Sequence, residues 1–104
     1  DRAMLNADRK LVTIITEAVL EGELCDFLRD LGASGYTVTN ARGSGSRGIR
    51  SAGWSASSNV RIEVVCSEEL AAEIAKQVSE RYYADYAMIL FESDIHVLRP
   101  DKFS

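Results

Sequence analysis

The chain has 104 residues, of which 46% are apolar, so it has room for one domain with a single core. Its formal net charge of −4 excludes a protein that is drawn as a whole to nucleic acid or to an anionic membrane surface. Because no apolar run approaches the roughly 20 residues that cross a bilayer, and no signal peptide is visible, a cytoplasmic protein is expected.

The first predicted elements are a strand and a helix. Residues 1–9 are expected to form a flexible N-terminal segment before a domain of residues 10–104. The segment Lys10–Thr16 is β-branched and almost continuously apolar, which predicts a central strand. A helix is expected to begin at Thr16 or Glu17, because apolar residues then recur at three- and four-residue steps until a glycine ends the pattern.

A long connection separates the next two strands. Alternation of threonine with tyrosine and valine predicts a strand over Gly35–Asn40. Residues 41–58 show no period and are rich in glycine and serine, and a loop of this length in a compact domain is usually functional or disordered. The segment Val60–Cys66 predicts the third strand, with Arg61 and Glu63 on the same face.

A second helix and a long strand complete the domain. Ser67 is expected to cap the helix, and apolar residues at four-residue steps predict its buried stripe. The segment Tyr86–Leu98 predicts the last strand, with a break near its acidic residues Glu92–Asp94. The predicted stripe comprises Leu70, Ile74, Val78 and Tyr82, with Ala71 and Ala75 beside it.

The element order β-α-β-loop-β-α-β predicts an α+β fold of the ferredoxin-like type. Right-handed crossovers place both helices on one face of a four-stranded antiparallel sheet. The other face of the sheet is left open, and its apolar residues need a cover. Self-association is the simplest cover, so the sequence predicts a homo-oligomer.

A glycine-rich segment with two arginines begins the loop. Gly43–Gly48 matches the G-x-G-x-x-G pattern, but Ile49–Trp54 does not predict the helix that a dinucleotide site requires, so a Rossmann site is excluded. Glycines let backbone N–H groups turn toward a ligand, serine hydroxyls donate, and each arginine offers a planar fork to phosphate oxygens. The predicted anion-binding residues are Gly43, Ser44, Gly45, Ser46, Arg47 and Arg50.

Other interpretations of the loop stay open on composition alone. A flexible, solvated hairpin loop would look the same, and so would an arginine-glycine tether for RNA, although only Trp54 is present to stack on bases. Asp85, in the turn before the last strand, could cap that turn or contact a ligand. His96 is the sole histidine and is expected in the core or at its rim, so no catalytic or metal-binding residue is predicted.

The two cysteines point to the redox environment of the chain. Cys25 and Cys66 lie far apart in apolar stretches, and neither has metal-ligand or redox spacing to a partner. They are therefore predicted to be buried free thiols in a reducing compartment.

Three motifs occur together at characteristic spacings. They are Gly35-Tyr36-Thr37-Val38, the loop segment Gly43–Arg50, and Arg81–Ala87 before the last strand. The combination resembles the PII-like signalling proteins, in particular the SbtB type and its carboxysome-associated relatives, and covers Lys10–Val97. The resemblance implies a homotrimer of ferredoxin-like subunits that binds adenine nucleotides in the clefts between neighbours.

The resemblance also implies how the site is divided. The long loop corresponds to the T-loop, which changes order with the ligand and docks on a target. Ser46, Arg47 and Arg50 match the residues that hold phosphate at the base of the T-loop. The opposing wall and the contacts to base or ribose are implied for Asp85, Tyr86, Ala87, Gly35, Tyr36 and Thr37.

The implied ligands are ADP or AMP, with cAMP, ATP and bicarbonate as further candidates, and no cofactor or metal. The implied role is regulation of inorganic-carbon uptake or carboxysome function, through a target such as a bicarbonate transporter or a carboxysome component. The protein would then sit at the carboxysome or inner membrane only through that target. Two alternatives stay open, a slow nucleotide phosphatase with Asp85 or Glu63 as base, and a scaffold that binds protein without a small ligand.

Overall fold

A computed structural model describes residues 7–42 and 58–98 of the chain. Within these residues it forms strands and helices in the order that the sequence predicts. The elements are β1 (Ala7–Glu17), a 3-10 turn (Ala18–Leu20), α1 (Glu21–Leu31), β2 (Thr37–Ala41), β3 (Asn59–Cys66), α2 (Glu68–Tyr82) and β4 (Ile89–Val97).

The four strands form one antiparallel sheet in the order β2-β3-β1-β4. β1 is central, as its apolar sequence predicts, and β2 and β4 are the edges. The predicted ferredoxin-like fold is confirmed. Glu17 pairs with Asn59, and Ile15 pairs with Ile89, so the end of β1 and the starts of β3 and β4 share one end of the sheet. We call this the loop end.

The core lies between the helices and one face of the sheet. Val12 and Ile14 of β1 and the even-numbered residues of β3 point into it, because successive strand residues alternate between faces. Burying each of these aliphatic side chains contributes about 1.5–3 kcal/mol. In α2 the predicted stripe is confirmed for Ile74, Val78 and Tyr82, which are all buried. At its first position Ala71 is buried, whereas the predicted Leu70 is only partly buried. The sheet side of the core consists of Val12, Ile14, Val60, Ile62, Val64 and Cys66.

The first helix begins later than predicted. β1 continues through Glu17, and α1 starts only at Glu21, after the 3-10 turn. Glu17 stays extended because it pairs with Asn59 in β3, and the Ala18 N–H donates a hydrogen bond of 2.7 Å to the Ser58 carbonyl. The sheet therefore holds these residues in place of a helical turn.

The boundaries of β2 and β4 also differ from the predictions. β2 begins at Thr37, and Gly35 and Tyr36 precede it. β4 begins only at Ile89, because the Tyr86 N–H still donates a hydrogen bond to the carbonyl of Tyr82, the last residue of α2. The predicted break near Glu92–Asp94 is wrong.

The cause of this unbroken strand lies in the neighbouring β1. Lys10 is the register partner of Asp94, and its ammonium group donates a hydrogen bond to that carboxylate. The same ammonium lies 3.6 Å from the Glu92 carboxylate. One cation therefore offsets the repulsion between two acids on the same face of β4.

Both helices have the end groups that their sequences suggest. The Ser67 hydroxyl accepts a hydrogen bond of 3.2 Å from the Leu70 N–H, so the predicted cap of α2 is confirmed. α1 ends at Gly32, whose φ of 113° is a left-handed conformation that favours glycine.

Both thiols are buried and free, as predicted. Burial raises the pKa of Cys66 to about 11, and burial is also the largest cause of the raised pKa of Cys25. A raised pKa keeps a thiol in its unreactive protonated form at neutral pH.

We expect iodoacetamide to leave both cysteines unmodified at pH 8 in the folded protein, because the thiolate is rare and the sulfur is shielded. The same reagent should modify Cys25 and Cys66 fully in 8 M urea, which serves as the control. Mass spectrometry of the intact chain measures both reactions. Rapid modification of Cys66 without denaturant would contradict the buried placement.

Candidate functional site

The predicted site draws on three segments, and the structure describes two of them. The loop residues Gly43, Ser44, Gly45, Ser46, Arg47 and Arg50 lie outside the described residues, so their placement stays a prediction. The described residues on either side of the loop are Ala41 and Arg42, at the end of β2, and Ser58, directly before β3. The loop therefore leaves and re-enters the sheet at its loop end.

The segment Gly35–Thr37 leads into the edge strand β2. The Tyr36 hydroxyl accepts a hydrogen bond of 2.5 Å from the Arg29 guanidinium, which also lies 5.6 Å from the centre of its ring. This hydrogen bond is the largest cause of the raised pKa of Arg29. Tyr36 is thus fixed against α1, whereas Thr37 is exposed and pairs with Glu63.

The turn before β4 is held at its start by hydrogen bonds to the last residue of α2. The N–H groups of Asp85 and Tyr86 each donate a bond of 3.1 Å to the Tyr82 carbonyl, and the Tyr86 ring lies 6.0 Å from the Tyr82 ring. The carboxylate of Asp85 is exposed and has no hydrogen-bond partner within residues 7–42 and 58–98. Of its two predicted roles, the turn cap is therefore not made by this side chain among the described residues.

Two residues at the end of β1 form hydrogen bonds with the carbonyl and the N–H of Ala87. The Thr16 hydroxyl donates to the Ala87 carbonyl at 3.3 Å. The Ala87 N–H donates to the Glu17 carboxylate, also at 3.3 Å. The sequence pattern predicts a helix start at Thr16 or Glu17 and does not reveal this role.

One chain does not bring the two described segments together. Gly35–Thr37 leads into one edge strand and Asp85–Ala87 into the other, and two strands lie between them. Three inter-strand spacings amount to about 14 Å. The base of the loop and the turn before β4, in contrast, both lie at the loop end of the sheet.

A contact between a histidine and an aspartate lies at the opposite end of the sheet. His96 is exposed, which places it at the rim, and its Nδ1 lies 3.2 Å from the Asp8 carboxylate. Among the residues that the structure describes, no group of three or more histidine, cysteine, aspartate or glutamate side chains could hold a metal ion. No helix within the same residues is long and apolar enough to cross a membrane.

These observations define a ferredoxin-like domain with a long loop after its second strand and an open sheet face. The family of nitrogen regulatory protein P-II matches residues 9–102, and the chain belongs to this family. The resemblance to PII-like signalling proteins is thereby confirmed.

Solved structures agree with this membership over the whole chain. A PII-like signalling protein from Thermus thermophilus has 44% identity and a TM-score of 0.82, with 97% of this chain and 100% of that chain covered. CPII from Thiomonas intermedia K12, bound to ADP and bicarbonate, has 26% identity and a TM-score of 0.81, with 98% and 100% covered. The same CPII bound to ADP, AMP and bicarbonate has 25% identity and a TM-score of 0.79, with 97% and 98% covered.

Proposed function

We propose that this PII-like protein is a non-enzymatic sensor of adenine nucleotides, with ADP and AMP as its preferred ligands. The observation that carries the proposal is the likeness, over nearly all of both chains, to a CPII that binds ADP, AMP and bicarbonate. The loop adds three arginines without an acid between residues 41 and 59 of an otherwise acidic chain. A local cationic group of this kind suits a small phosphate ligand better than a long polyanion.

The phosphate groups are proposed to bind at the start of the T-loop, through Ser46, Arg47 and Arg50. Charge-assisted hydrogen bonds from such arginines contribute roughly 1.5–3 kcal/mol each. The described turn Asp85–Ala87 would form the other wall, because it lies at the same end of the sheet as the loop base. Gly35–Thr37 would contact the base or ribose, and Thr37 is exposed enough to do so.

The working form is proposed to be a homotrimer that uses the open sheet face. Ile89 and Phe91 are 54% and 43% exposed on this face, and Leu11 and Ile15 lie beside them on the neighbouring strand. A contiguous apolar strip of this kind needs a cover in water. Because Gly35–Thr37 and Asp85–Ala87 lie at opposite edges of one sheet, a neighbouring subunit would also bring them to a shared cleft.

Ligand binding is proposed to change the order of the T-loop and so its docking on a target. Bicarbonate binding and a target in inorganic-carbon uptake or the carboxysome belong to this proposal, which rests on the bicarbonate in CPII. The cytoplasm, with recruitment to membrane or carboxysome by the target, is the matching location.

Isothermal titration calorimetry with ADP, AMP, cAMP and ATP, each with and without bicarbonate, tests the proposal. We expect ADP or AMP to bind, and Arg47→Ala and Arg50→Ala each to weaken binding by about 10-fold or more, since each loses a charge-assisted contact. Arg47→Lys should recover only part of the affinity, because lysine lacks the planar fork. Lys76→Ala, on the exposed side of α2, is the control.

Three outcomes would contradict the proposal. Unchanged affinity for nucleotide in both arginine variants would show that phosphate does not bind at the base of the T-loop. Hydrolysis of nucleotide above background, abolished by Asp85→Asn or Glu63→Gln, would favour the phosphatase. If no adenine nucleotide binds or raises the melting temperature, a protein-binding scaffold is the better assignment.

A further inference from the structure

Thr16 and Glu17 connect two parts of the molecule that are far apart in sequence. Glu17 is the register partner of Asn59, and the next N–H, that of Ala18, donates to the Ser58 carbonyl at 2.7 Å. Ser58 is the last residue before β3, so the end of β1 is bonded to the point where the long loop re-enters the sheet.

The same two side chains hold the turn before β4. Their contacts are with the carbonyl and the N–H of Ala87, each at 3.3 Å. Thr16 is 1% exposed, so its hydroxyl has little access to water and the Ala87 carbonyl is its hydrogen-bond partner in the core. A dipeptide at the end of the central strand thus fixes the peptide groups on both sides of Ala87.

We propose that Thr16 and Glu17 are positioning residues of the nucleotide site, which hold the turn Asp85–Ala87 in place and link it to the end of the loop. The inference rests on the proposed function and names the residues that keep its two walls in register. Because the N–H of Ala87 is already bonded to Glu17, its contact with a ligand would come from its methyl group or from the second lone pair of its carbonyl. Asp85 and Tyr86 supply the polar groups of this wall.

The contacts of Ala18 and Glu17 couple the end of the loop at Ser58 to the turn at Ala87. A ligand that orders the loop restrains Ser58, and this restraint reaches Ala87 through Ala18 and Glu17 without any long-range rearrangement. Coupling of this kind between contacting residues changes ligand affinity modestly. Loss of the Glu17 carboxylate should therefore weaken nucleotide binding although Glu17 itself does not touch the phosphate.

The test compares Glu17→Ala, Glu17→Asp and Glu17→Gln in the full chain. Glutamine keeps an oxygen that can accept from the Ala87 N–H, whereas aspartate keeps the charge but is one methylene too short for the 3.3 Å contact. Glu69→Gln, an exposed carboxylate at the other end of the sheet, is the control. Amide hydrogen exchange of Ala87 by NMR and calorimetry with ADP are the two readouts.

We expect faster exchange at Ala87, by about 10-fold, and ADP binding weaker by about three- to 10-fold in Glu17→Ala and Glu17→Asp. Glu17→Gln and Glu69→Gln should keep both properties within about twofold. Thr16→Val, which preserves the shape but removes the hydroxyl, should also weaken ADP binding.

Unchanged exchange at Ala87 in Glu17→Ala and Glu17→Asp would show that the contact is absent in solution. Faster exchange with unchanged ADP affinity would show that the contact does not position the site. Either result overturns the inference. Failure of the unmodified protein to bind any adenine nucleotide would instead overturn the proposed function, and Ala87 exchange would still report the contact.

Discussion

A Phe91→Asp variant is expected to run as a monomer where the unmodified protein runs at three times its chain mass of 11.4 kDa. Phe91 is 43% exposed on the open face, and its register partner on the adjacent strand β1 is Thr13. A carboxylate placed there would lose its contact with water when two such faces meet, beside the apolar side chains of Ile89 and Ile15. Burial of a charge in an apolar interface costs several kcal/mol, and a symmetric trimer would bear this cost at each of its three interfaces.

Size-exclusion chromatography with light scattering measures the mass of both proteins. Ala72→Asp is the matched control, because it adds the same acid to an exposed site on α2, away from the open face. Far-UV circular dichroism should show that the monomer keeps its fold, since Phe91 belongs to the face opposite the core. A trimer that survives Phe91→Asp would place the interface elsewhere, and a monomeric unmodified protein would remove the trimer altogether.

The sequence predicted most of the fold because its strongest signals are local. The apolar run Lys10–Thr16 can only be satisfied between two neighbours, and the structure places β1 there. Ser67 caps α2 through its own third neighbour, Leu70. The errors arose where a distant strand decides the conformation. Glu17 looks like a helix start in isolation, but pairing with Asn59 keeps it in the sheet.

The same limit explains the false break in β4. Two acids close together suggest an interruption, yet the strand continues because Lys10 lies opposite them. This compensation depends on the register between β1 and β4, which separates residues by more than 80 positions in sequence. Neither segment by itself shows which residues of the other strand lie opposite it.

Part of the candidate site could be predicted from the sequence. The motifs of the resemblance marked the turn Asp85–Ala87 and the start of β2, and the structure shows that these segments lie at opposite edges of one sheet. They do not meet within one chain, and the apolar residues of the open sheet face are the sequence pattern that indicates assembly with further subunits. Thr16 and Glu17 were missed because hydrogen bonds from side chains to a distant backbone have no sequence signature.

Tyr82 is expected to be a large single contributor to stability. It is 2% exposed, and its ring makes an edge contact with Phe27 at 6.4 Å and a tilted contact with Tyr86 at 6.0 Å. Its hydroxyl donates a 2.7 Å hydrogen bond to the Glu23 carboxylate on α1. One side chain thus joins α1, α2 and the turn before β4.

Tyr82→Ala should lower the free energy of unfolding by about 3–5 kcal/mol, because it leaves a cavity among these rings. Tyr82→Phe should cost only about 1 kcal/mol at pH 7, since Glu23 is exposed and water can replace the lost hydroxyl. Urea unfolding measures both changes. Tyr83→Phe, at a neighbouring side chain that is 45% exposed, is the control and should change stability by less than about 0.5 kcal/mol.

Alkaline pH separates the hydroxyl from the ring. Burial, followed by the bond to Glu23, raises the pKa of Tyr82 from 10.0 to about 12. The unfolded chain therefore loses this proton first, and the stability that depends on it is complete below pH 10 and falls as the pH rises toward 12. Cys66 acts in the same direction between pH 9 and about 11.

The unmodified protein should accordingly lose about 1 kcal/mol more than Tyr82→Phe between pH 9 and pH 11, with the Cys66 share common to both. Equal losses in the two proteins would mean that the Tyr82 hydroxyl titrates in the folded state as it does in water.

Tyr82→Phe keeps the ring that packs on Tyr86 and removes only the hydroxyl. An ADP titration of this variant at pH 7 should therefore show affinity within about twofold of the unmodified protein. A larger loss would place the Glu23 bond in the support of the turn before β4, beside Thr16 and Glu17.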